Sequence, residues 1–99
     1  MSDPGQLLFR AGGPVATVVW AHDFGERRQT GWFLVPLDDA GEPAHERSRR
    51  LVVSPEVERL VADTELGRAA WLDQAETLEL VTAAAAIAAA EQLLGARAH

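Results

Sequence analysis

The stretch from Asp73 to Leu94 constrains the fold more than any other part of the chain. Seven alanines lie between Ala83 and Ala90, interrupted only by Ile87, and alanine is the strongest helix former. At the helical rise per residue the stretch is about 33 Å long. Asp73 and Glu76 have the spacing of a capping box. Gly95 follows the apolar pair Leu93 and Leu94, where a left-handed stop is expected. The pattern therefore predicts one long helix over Gln74–Leu94.

On a helical wheel Leu72, Leu80, Ala83, Ile87, Ala90 and Leu94 share one stripe. Trp71, Ala75, Leu78, Ala89 and Leu93 form a second stripe beside it, and the polar arc centres on Gln74, Thr77 and Gln92. Small side chains let such a helix lie close to a sheet. Leu80, Ile87 and Leu94 also have heptad spacing, which suits a second copy or a partner, although two heptads are too few for a coiled coil. Glu76, Glu79 and Glu91 interrupt the apolar run, so no membrane association is expected.

Upstream, the pattern changes from helical to extended. Gln6–Ala11, Val15–His22, Thr30–Leu37 and Ser48–Val53 read as strands, separated by turn signals at Gly12-Gly13-Pro14, Gly25, Gly41 and Pro43. Ser54-Pro55-Glu56 then opens a short helix to about Leu66, with serine as N-cap and proline in the first turn. The fold class predicted is α+β. An antiparallel meander of three to four strands is followed by two helices on one face, the C-terminal one long and alanine-rich. One domain covers 6–95, flanked by an N-terminal tail, 1–5, and a C-terminal tail, 96–99.

Tight pairing of the meander sets Trp20 opposite Trp32, Val18 opposite Leu34 and Val19 opposite Phe33. It also places Leu51 beside Trp32 and Arg50 beside Phe33. Both faces of the central strands are then apolar, whereas a sheet with one wet face alternates apolar and polar residues. Two helices can cover one face. The other, whether that of Trp32 or that of Phe33 and Val35, then needs a second subunit, a partner or the N-terminal segment.

Composition bounds the function. The formal net charge is −6, which disfavours direct nucleic-acid binding, because phosphate affinity requires a basic surface. There is no cysteine, hence no disulfide, thiolate metal site or cysteine nucleophile. With no basic-then-apolar leader near Met1, a cytoplasmic setting is expected. All the Lys and Arg residues are arginine. With the alanine and glycine content, this suggests a GC-rich bacterial or phage genome.

No catalytic constellation is visible. His22, Asp23 and Glu26, with His45 and Glu46, are ligand types suited to zinc or manganese, but their spacing matches no strong motif. No cofactor or metal is expected. Arg47, Arg49 and Arg50 form the main basic cluster. They read either as an acidic-partner contact or as charge guarding an edge strand. The function expected is a small acidic protein-interaction module, an accessory, adaptor or inhibitor protein. It would bind a protein partner or itself as a homodimer through the apolar sheet face, with Trp32, Phe33, Val35, Arg47, Arg49 and Arg50 as contacts. The alternative is a small-ligand domain with a pocket lined by Trp20 and Trp32, or, further off, a metal-dependent enzyme.

Overall fold

A computed structural model describes residues 5–98. Five strands form one antiparallel sheet: β1 (Gln6–Arg10), β2 (Gly13–Phe24), β3 (Gln29–Pro36), β4 (Arg49–Leu51) and β5 (Arg97–Ala98), in the order β4-β3-β2-β1-β5. Two helices follow β4: α1 (Pro55–Ala62) and α2 (Arg68–Leu94). The α+β class, the meander and the long C-terminal helix are as the sequence predicts. The register agrees residue by residue: Val18 pairs with Leu34, Val19 with Phe33, Trp20 with Trp32, Trp32 with Leu51 and Phe33 with Arg50.

Four features depart from the sequence reading. The chain expected to be a tail after Gly95 adds a fifth strand, with Leu8 pairing with Ala98 and Phe9 with Arg97. Gly95 makes this possible: its left-handed φ of 62° turns the chain from α2 back onto β1. Residues 1–4 of the expected N-terminal tail lie outside the described residues. Gly5, its last member, packs so closely that an added Cβ would meet Val19, Thr17 and the Val18 carbonyl.

The second departure is at the start of α2. The helix begins at Arg68, behind Gly67, so Asp73 lies inside it and caps nothing. Arg68, Ala69 and Ala70 are themselves good helix formers, and the Trp71 indole donates to the Leu60 carbonyl at 3.2 Å, tying this first turn to α1. Third, α1 stops at Ala62 rather than Leu66. The Asp63 carboxylate accepts the backbone N–H groups of Glu65 and Leu66, which favours a turn over another helical turn. The start of α1 is as expected: Ser54 Oγ accepts the Val57 N–H, and Pro55 follows it.

The fourth concerns both faces of the sheet. One face, with Leu8, Ala16, Val18, Trp32, Leu34 and Leu51, packs on Ala86 and Ala90 of α2. The sheet brings the bulk and the helix brings alanine, so the two approach closely. A buried bond crosses this interface: the Trp32 indole N–H donates to Thr82 Oγ1 at 2.8 Å. The other face is closed within the chain as well. A register slip between Ala21 and Phe24, with Asp23 at a φ of 51°, curls the end of β2 inward. Phe24 then lies on Phe33 at a ring distance of 4.6 Å, and His45, from a 3-10 turn at His45–Arg47, lies on Phe24 at 5.8 Å. Arg50 covers Gly31, whose φ of 140° and lack of a side chain admit the guanidinium.

Candidate functional site

The residues expected to form a spare sheet face are interior. Trp32, Phe33 and Val35 are 7%, 3% and 0% exposed. They are core residues of the single chain: α2 covers Trp32, and the β3–β4 connection folds back over the outer face of β3, which carries Phe33 and Val35. Its course is set by backbone bonds, the Ala44 N–H donating to the Pro36 carbonyl and the Leu37 N–H to the Val15 carbonyl. Asp38 completes the turn by accepting the N–H groups of Ala40 and Glu42, both at 2.9 Å.

Trp20 and Trp32 line no open pocket between sheet and helix. Their rings meet edge to face at 5.5 Å, within the apolar packing between β2, β3 and α2. The tryptophan-lined pocket expected from the sequence is therefore filled by the two side chains themselves.

The three arginines of the basic cluster separate. Arg50 is structural: its Nη1 donates to both Glu58 carboxylate oxygens, at 2.7 and 2.9 Å, and its Nε donates to the Thr30 carbonyl at 3.0 Å. It clamps α1 to β3 across the short edge strand and is not free to meet a partner. Arg47 and Arg49 are exposed. Arg49 pairs with Leu34 and so shares the sheet face that carries α2.

The histidines and carboxylates considered as metal ligands do not converge. His22 lies against Trp71, Asp23 pairs with Arg28 at 3.7 Å, and Glu26 lines a separate cleft with His45 and Glu46. Among the described residues no group of three or more histidine or carboxylate side chains could hold a metal ion.

The outside of α2, which the sequence pointed to only through its heptad spacing and not among the expected site residues, carries exposed apolar side chains. Leu80 is 80% exposed and Val81 69% exposed. Around them Ala84, Ala85 and Ala88 are also exposed, while Thr82, Ala86 and Ala90 face the sheet. The Leu80, Ile87 and Leu94 stripe, whose heptad spacing suits a partner, is thus split, with Ile87 and Leu94 half-buried and Leu80 in solvent. A signal for this was present: a sheet face with two tryptophans leaves room only for the smallest helix positions.

Two grooves flank this outer face along one side of α2. One, of about 700 Å³, lies between β4 and the C-terminal half of the helix, lined by Arg49, Val52, Ala89, Gln92 and Leu93 among others. Its wall exposes Val52 by 74% and Leu93 by 53%. The other, of about 430 Å³, lies between α1 and the N-terminal half, lined by Glu56, Leu60, Asp63, Asp73, Thr77 and Leu78 among others. Among the described residues α2 is also the one helix long and apolar enough, by length and composition, to cross a membrane.

No family model matches the chain, no curated protein matches it, and no solved structure matches it.

Proposed function

We propose that this chain is a small protein-interaction module, an adaptor, accessory or inhibitor protein, that binds through the outer face of α2. One observation carries the reading. Leu80 and Val81, the largest side chains at the middle of the helix, stand in solvent beside a run of exposed alanines. Large apolar side chains on a helix ordinarily face the core. Here the sheet covers only the Thr82, Ala86 and Ala90 side. Contiguous exposed apolar surface of this kind marks interaction sites on soluble proteins. The net charge of −6 favours partners with a basic rim.

Paired charge substitutions, Leu80→Glu with Val81→Glu, test the reading. Both positions are exposed, so the variant should fold as the parent does, checked by circular dichroism and thermal melting. In affinity capture from bacterial extract the parent should retain a defined protein, itself or another, that the variant loses. Identical capture by the two forms would remove α2 from the binding surface.

A further inference from the structure

We infer that the occupant of the α2 outer face is a second copy of this chain, its α2 antiparallel to the first and the two-fold axis near Ala84 and Ala85. The inference rests on the proposed interaction surface and assigns it a partner. The outer face is asymmetric along its length. Large residues, Leu80 and Val81, lie on the N-terminal side of the centre, and small ones, Ala84, Ala85 and Ala88, at the centre and beyond it. A two-fold axis perpendicular to the helix, midway between Ala84 and Ala85, sets Val81 against the partner's Ala88, with Leu80 at the opposite margin of the strip. The large side chain facing the axis then meets a small one. A parallel pair would set Leu80 against Leu80 and leave alanines facing alanines across a gap.

Charge follows the same symmetry. The groove beside the N-terminal half of α2 carries Asp63 and Asp73 besides the Glu56–Arg59 pair, whereas the groove beside the C-terminal half carries Arg49 besides Arg50, which is held by Glu58, on the same flank. Asp73 and Arg49 make no ion pair within the chain among the described residues. A perpendicular two-fold keeps a flank on its own side and reverses its direction. It therefore brings the acidic end of one copy to Arg49 of the other, twice. Thr77 and Gln92, polar and exposed, meet at the margins.

Area sets the strength. A helix of this length offers a strip about 40 Å long and about 10 Å wide, on the order of 400 Å² per copy. Stable complexes bury about 800 Å² per partner. The strip supplies about half, and the continuing groove with Val52 and Leu93 adds to it. The dimer is therefore reversible and dissociates on dilution.

The test uses the full chain, which has no native cysteine. Light scattering over a dilution series should show a mass moving from two chains to one. Arg49→Glu and Asp73→Arg should each weaken the dimer about five-fold at low salt, and the double variant should restore it. Under mild oxidation Ala84→Cys, beside the axis, should form a disulfide-linked dimer. Leu80→Cys should not, because its two copies lie about 13 Å apart along the helix. A mass of one chain at every concentration overturns the inference, as does equal cross-linking through Leu80→Cys or capture on lipid vesicles as a monomer. If the purified chain is monomeric yet the Leu80→Glu, Val81→Glu variant still loses a captured protein, self-pairing fails and the interaction surface stands. If capture is also unchanged, both fail.

Discussion

The two sides of α2 both carry apolar side chains and have opposite fates. The inner side, Thr82, Ala86 and Ala90, is 6%, 0% and 0% exposed. The outer side, with Leu80 and Val81, is open to solvent, although these residues are larger and more hydrophobic. The difference shows that volume, and not hydrophobicity, chose which side faces the sheet. Trp32, Leu34, Leu8 and Val18 already fill the space above the strands. A leucine on the approaching helix would hold it off, whereas alanine lets the backbone come near. The Trp32–Thr82 hydrogen bond then fixes the helix rotation, because a buried indole N–H without an acceptor is disfavoured by about 1–3 kcal/mol.

The largest expected effect breaks the inner side of this comparison. Trp32→Ala leaves a cavity beneath α2 and should destabilise by about 3–5 kcal/mol, read as a loss of midpoint in urea unfolding. Next, Ala86→Leu should destabilise by about 1–3 kcal/mol through overpacking at a fully buried site, although leucine is a good helix former. Thr82→Val keeps the shape and removes the acceptor of the Trp32 indole. About 1–3 kcal/mol should be lost, with a changed tryptophan emission spectrum as a second readout.

Arg50→Ala probes the closed outer face of the sheet. It frees Glu58 and the Thr30 carbonyl and leaves space above Gly31. A loss of about 1–2 kcal/mol is expected, moderated because Glu58 is 39% exposed at its side chain. The smallest effect belongs to the outer side of α2. Leu80→Gln should shift stability by no more than about 0.5 kcal/mol, measured by the same unfolding curves. A larger loss there, in dilute protein, would mean that Leu80 is packed within the monomer.

Much of the fold was legible because it depends on local chemistry. Ser54 and Pro55 start α1, Gly95 ends α2, and alternating strands separated by glycine turns produce the meander. The Trp20–Trp32 register agreed with tight pairing across the β2–β3 turn, and Phe33–Arg50 with carrying that register through the β3–β4 connection. The candidate site was far less legible. Phe33 and Val35 looked spare because nothing local shows that Phe24, His45 and Arg50 close over that face. The Arg50–Glu58 pair joins a strand to a helix through a connection whose course the arginine cluster does not reveal.

By itself, the sequence determined the element types, their order, the pairing of the central strands and an excess of apolar residues, which its pattern put on the sheet and not on α2. Each of these follows from residue periodicity, cap chemistry or composition. Only the tertiary structure decided where the excess surface lies. Which apolar side of a helix faces inward depends on the volumes it meets across the core. Those volumes belong to residues some fifty positions away, as the Trp32–Thr82 contact does. The sheet kept the small side, and Leu80 and Val81 were left facing outward.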